Sequence, residues 1–294
     1  MATNETTVSV AGVRVRRRRQ IAGRQVLRHV LLLAFALVLL YPLIWMVTSS
    51  LKPSTQILAD PGLIIRDFTL DNFRIGWNAL PRPFSVFFVN SFIVTIGSIV
   101  GNVVSCALAA YAFARLNFRG RKVYFGIMLV TIMLPFHVLI VPQYIIFSQL
   151  GLVNTFYPLV APKFLATDAF FIFLMVQFLR TIPRELDRAA WVDGAGPFAT
   201  FWYIILPLMT PALATCAIFT FIWTWNDFFS PLIYLTATPA FTVPVALNSL
   251  LDSETQSGIG YLFAMSLLSL VPIFIFFVVA QKYLIRGIST TGLK

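Results

Sequence analysis

Acidic residues are scarce in this sequence: 11 Asp and Glu among 294 residues, with charged residues of both signs making up only 11%. A soluble domain carries roughly 25%, so a water-facing globule is excluded by its missing surface. Cysteine and histidine are scarcer still, at two each: Cys106, Cys216, His29 and His137. They stand apart from one another, without the spacing of a zinc site or of a thiol beside its base. No catalytic residue and no metal are therefore expected. Long polar stretches are absent too, so neither side of a membrane receives a soluble domain of its own. Work that needs energy then needs a partner chain.

What the sequence has in abundance is apolar bulk, 59% hydrophobic with 29 Phe. Spans of about 20 apolar residues cross a hydrocarbon core of about 30 Å, and six candidates occur, near 30–50, 86–113, 123–147, 157–180, 201–225 and 260–284. The expected fold is all-α and polytopic, with six transmembrane helices over 30–285, a basic tail over 1–29 and a short tail over 286–294. The first apolar run is too long for a signal-peptide core and has no small-residue cleavage site after it, so it reads as a retained anchor. With the N-terminus inside, 17 Lys and Arg fall on the inner side and five on the outer. That bias places both termini in the cytoplasm. It also accounts for the net charge of +11 as a topology signal and anionic-lipid contact, and no recognition motif argues for nucleic acid.

Polar residues inside apolar spans face protein or water. The second span holds Asn90, Ser91, Thr95, Ser98, Asn102 and Ser105, with Gly97 and Gly101 at GxxxG spacing. Two readings fit: close helix packing through small residues, or one wall of a hydrophilic passage. On the second, Asn90, Thr95 and Asn102 join Gln143 and Asn226 as candidate path residues. Pro135, Pro142, Pro207 and Pro211 interrupt the third and fifth spans, which is tolerated where freed backbone groups find protein or cavity water. Lys163 and Asp168, five apart near the outer end of the fourth span, read as a mutual pair or as interfacial snorkelling. A secondary transporter would need coupling-ion groups or visible repeat symmetry, and neither is legible.

One inner segment differs from its surroundings: ELDRAAWVDGAG, residues 185–196. Pro183 suits a helix beginning, and Glu185 and Asp187 in the first turn complement the helix dipole. Leu186, Ala189 and Ala190 recur at i, i+3 and i+4, predicting a low apolar face that another surface can approach. Asp193-Gly194 predicts a stop, because glycine tolerates the left-handed turn.

The run ELDRAAWVDGAGPFATFWYIILPLMTP resembles the EAA loop of permease subunits of bacterial ATP-binding-cassette importers. That pattern is E-A-A, three residues, Gly, nine residues, then I-x-L-P. Ala189, Ala190, Gly194, Ile204, Leu206 and Pro207 all fall at its spacing, while Arg188 occupies the glutamate position. SLKP (50–53), NSFIV (90–94), AAYAFARLNFRGR (109–121), MLPFHVLIVPQY (133–144), LGLVNT (150–155), WNDFFSPLIYL (225–235) and QKYLIRGIST (281–290) are similar to the maltose-type carbohydrate branch, in its shorter six-span partner. The resemblance implies the type I importer permease fold in the bacterial cytoplasmic membrane. It further implies a heterodimer with a second permease, two ATPase subunits that bind the ATP, an extracytoplasmic solute-binding protein and a sugar-like solute. No cofactor of the chain's own is implied. The coupling loop at about 181–200 would seat Glu185, Asp187, Arg188, Ala189, Ala190, Asp193 and Gly194 against an ATPase, with Glu185 or Asp187 supplying the acid that Arg188 does not. The tail residues Gly287, Ser289 and Thr290 resemble a further ATPase contact.

Overall fold

The computed structural model describes the backbone of residues 11–251 and 258–291, and the side chains of 25–135, 137–251 and 258–281. Among the described residues every regular element is a helix. The chain opens with the long α1 (Ala11–Ser50) and two short helices, α2 (Ser54–Ala59) and α3 (Asp71–Gly76). It continues with α4 (Phe84–Arg115), α5 (Arg121–Thr131), α6 (Phe136–Gln149), α7 (Tyr157–Val160, running into a 3₁₀ turn at Ala161–Leu165) and α8 (Ala169–Thr181). The short α9 (Glu185–Val192) follows, then α10 (Pro197–Leu208), α11 (Thr210–Trp225), α12 (Phe229–Tyr234), α13 (Val243–Leu251) and α14 (Gly258–Thr291).

Four stretches are long and apolar enough to cross a membrane: Gln25–Ser50, Phe84–Arg115, Tyr157–Thr181 and Gly258–Gln281. A fifth arises if α10 and α11, bent by 74° about Met209, form one broken span. Five of the six expected spans thus correspond to these four stretches and the bent pair, while the third falls on a split pair, α5 and α6, neither of which is long enough to cross alone. The split lies in the third span, at Pro135, which precedes α6 with φ −61° and ψ 129°. A proline bars the residue before it from helical geometry, so α5 ends and α6 starts afresh.

Helix α4 is the hub, packing against α8, α11, α13 and the 3₁₀ turn. Its small residues Cys106 and Ala110 meet Met175, Leu179, Ile205 and Met209 in the main apolar core, all 0% exposed. A Cβ at Gly97 would lie 2.9 Å from Val160 Cγ1, and one at Gly101 2.8 Å from Phe164 Cδ2. At these two positions the GxxxG spacing serves close backbone approach. Helix α1 instead exposes Leu31, Leu33, Phe35 and Val38 and packs along α14. Lipid is as apolar as leucine, so such a face needs no protein cover.

The loop between α1 and α4 is built around two buried side chains. Lys52, 2% exposed, donates from Nζ to the carbonyls of Asp60 at 3.0 Å and Gly62 at 2.5 Å. Asn72 donates to Ser50 O at 2.9 Å and Lys52 O at 2.7 Å. Buried carbonyls need donors, and these two residues fold 52–76 into a cap on α14.

Candidate functional site

Helix α9 stops at its predicted turn. Gly194 has φ +82°, Ala195 N–H donates to Ala190 O at 2.9 Å, and Gly194 N–H to Trp191 O at 3.1 Å. This crossed pair is a Schellman motif, in which the left-handed residue closes the last carbonyls. Pro183 lies just outside the helix start, with Arg184 as the residue before Glu185.

The predicted apolar face divides. Ala190 is 4% exposed and turned inward, whereas Leu186 is 40% and Val192 87% exposed, and Ala189 is exposed with them. The inward side is set by charge that the sequence pattern hides. Asp187, 4% exposed, has Oδ2 3.3 Å from Arg115 Nη1 at the end of α4. Neither Asp187 oxygen accepts a hydrogen bond, so charge attraction holds the pair. Arg115 Nη2 also donates to Ile182 O at 2.8 Å, Arg184 Nη2 to Ala114 O at 2.9 Å, and Tyr111 Oη to Pro197 O at 3.0 Å. Both ends of the 182–197 loop are thereby tied to one helix end. Glu185, Arg188 and Asp193 remain exposed. Asp187 therefore faces α4, not the outside surface that Glu185 and Arg188 share with Ala189.

Halfway along α4 a second polar set gathers around the interrupted fourth span, where Ala166 adopts φ +55°. Lys163 Nζ is 2.9 Å from Asp168 Oδ2, which also accepts from Asn102 Nδ2 at 2.6 Å. Asn102 further donates to Thr220 Oγ1 at 3.2 Å. The mutual-pair reading of Lys163 and Asp168 holds, but its depth differs from expectation. Thirteen residues of α8 follow, about 20 Å at 1.5 Å per residue, so the pair lies well inside the span.

The pair opens onto a cleft of about 590 Å³ walled by α4, α6, α7, α11 and α12. Of the candidate path residues, Gln143 and Asn226 line it. Asn102 stands behind it, 1% exposed, bound to Asp168. Thr95 is buried at 1% without a hydrogen-bond partner. Asn90 instead ties α4 to the segment before α13, donating to Pro239 O and Phe241 O, both at 2.9 Å. Ser98, one of the second-span polar residues but not among the path candidates, also lines the cleft, as do Trp223 and Tyr234, which the sequence reading left out. The signal for Trp223 and Tyr234 lay only in the fold, since they reach the cleft from helices other than α4. The backbone of α14 is helical to Thr291, while the side chains of Gly287, Ser289 and Thr290 lie outside the described residues. No group of three or more His, Cys, Asp and Glu able to hold a metal occurs among the described residues.

Against known proteins, the model of the family described as "Binding-protein-dependent transport system inner membrane component" matches residues 101–290. The arabinooligosaccharides transport system permease protein AraQ of Halalkalibacterium halodurans is 34% identical, over 88% of this chain and 92% of that protein. The trehalose transport system permease protein SugB of Mycobacterium tuberculosis is 34% identical, over 87% and 92%. Among solved structures, a bacterial ABC transporter involved in import of the acidic polysaccharide alginate superposes with a TM-score of 0.79 at 25% identity, covering 91% of this chain and 98% of that one.

Proposed function

Since this chain belongs to the family of inner membrane components of binding-protein-dependent transport systems, the multi-pass permeases of ATP-binding-cassette importers, we propose that it moves a sugar or related solute, of oligosaccharide, disaccharide or glycerol-phosphate type, into the cytoplasm. It forms half of the passage as one member of a permease heterodimer, and both termini lie in the cytoplasm. The chain performs no chemistry and holds no cofactor. ATP is bound and hydrolysed by two partner ATPases, and an extracytoplasmic solute-binding protein delivers the solute.

The observation that carries the coupling role is the tied α9. A helix fastened at both ends of its loop to α4 passes a push on its exposed face to the helix that lines the cleft. Glu185, Arg188, Ala189, Asp193 and Gly194 form or shape the ATPase-facing surface. Asp187 and Ala190 hold it in register from the inside. Gly287, Ser289 and Thr290 add a second ATPase contact, on the motif similarity alone.

Co-purification tests the assignment. The expected complex contains this chain, a second permease and two ATPase subunits, with ATP hydrolysis stimulated by the loaded binding protein. Solute uptake by this chain alone in liposomes would mark a secondary transporter or facilitator and end the importer reading.

A further inference from the structure

Two buried hydroxyls in the cleft lack partners. Ser98 and Tyr234 line it, they are 0% and 1% exposed, and neither hydroxyl makes a hydrogen bond among the described residues. Buried polar groups are almost always paired, so two orphans on one cleft point to a partner from outside. A hydroxyl both donates and accepts, which matches another hydroxyl better than it matches a charged group. Gln143 and Asn226 add amide groups to the same wall, and Trp223, 50% exposed, adds an aromatic face.

Charge narrows the ligand further. Among the lining side chains the ionisable acids and bases are His137, Lys163, Asp168 and Asp227, one lysine cation against two carboxylates, with His137 counted neutral at pH 7. The cation is already held by Asp168 at 2.9 Å. Asp227 spends an oxygen on the N–H of Ser230 at 3.1 Å. A phosphate or carboxylate entering here meets a lysine already paired and a wall of net negative formal charge, and it must shed its water to do so.

We propose that this cleft is a binding station for a neutral, polyhydroxylated solute whose hydroxyls meet Ser98 and Tyr234, and that it disfavours phosphorylated and carboxylated solutes. The assignment rests on the importer reading and narrows its solute range to neutral saccharides.

The test is uptake by cells expressing the complete importer, this chain with its partner permease, ATPases and binding protein. The probes are trehalose, maltose and arabinotriose as neutral solutes, with sn-glycerol 3-phosphate and an alginate trisaccharide as anionic ones. At least one neutral probe is taken up faster than either anion. Ser98→Ala and Tyr234→Phe each lower that uptake roughly threefold to tenfold, the scale of one lost hydrogen bond, without lowering the thermal midpoint of the purified complex. Thr242→Val removes another buried unpartnered hydroxyl that lies outside the cleft and leaves uptake unchanged. Unaltered uptake in both cleft variants means the hydroxyls meet only water, and overturns the assignment. So does uptake of an anion at or above the neutral rate, or uptake of no neutral probe. A fall in thermal midpoint reveals a structural partner for that hydroxyl and overturns its role. Loss of ATPase co-purification from the parent chain is a separate result and counts against the importer reading instead.

Discussion

Arg188 is where this chain departs from the pattern it otherwise follows. It is exposed on α9, in the position where the family pattern has glutamate, and it shares that surface with Glu185. If the face docks an ATPase, the partner's cleft must answer a cation there. Arg188→Glu is therefore expected to lower binding-protein-stimulated ATP hydrolysis with the native ATPases by about tenfold, on the scale of one mismatched interfacial charge. Unchanged coupling would show the position to be idle. Gly194 gives a second expectation. A Cβ there would meet nothing within 4 Å, but φ is +82°, so Gly194→Ala costs backbone strain alone, about 1–2 kcal/mol. Hydrogen exchange should quicken over 193–197 while the transmembrane helices stay protected. This turn was legible because all its bonds close within six residues. The inward turn of Asp187 was not, because the bonds that orient the loop bridge 67 and 70 positions.

At the scale of elements, α9 is too short to be stable alone, since isolated helices under about 12–15 residues are marginal in water. Its anchorage to α4 is what holds it in place, and the proposed lever role rests on that tie. Arg115 and Asp187 are 4% and 6% exposed in their side chains. Removing one partner of a buried pair leaves an uncompensated charge, at about 3–5 kcal/mol. Asp187→Asn and Arg115→Met should each lower the thermal midpoint of the detergent-solubilised complex. The double change Arg115→Met with Asp187→Leu should recover much of the loss, because apolar residues of similar volume replace a buried pair at little cost. If the tie transmits motion, the double variant assembles with its ATPases yet hydrolyses ATP without uptake. Apolar run length showed where helices lie, and Pro135 announced the split in the third span. The break at 166–168 carries no proline; its left-handed Ala166 packs against the main apolar core and Asp168 is held by Asn102 of α4, contacts that no local pattern encodes.

For the whole molecule, orientation rests on the bias of 17 inner to five outer basic residues. One of the five, Lys52, is buried against carbonyls, so it serves the outer cap as structure and adds little to any surface potential. The bias that remains is steeper than the raw count, and the orientation proposed from it has α9 inside and the 52–76 loop outside. The chain offers a clean way to read this, because its only cysteines, Cys106 and Cys216, are both 0% exposed and should give no background labelling. Ile64→Cys substitutes a residue that is 75% exposed on the outer loop, and Arg188→Cys one exposed on α9. A membrane-impermeant maleimide should label I64C in intact cells and leave R188C untouched. Inverted vesicles stripped of ATPases should give the reverse. Labelling of R188C from outside the cell would turn the molecule over. The coupling face would then be out of reach of ATP, and with it would go the division of labour between this permease and its ATPases.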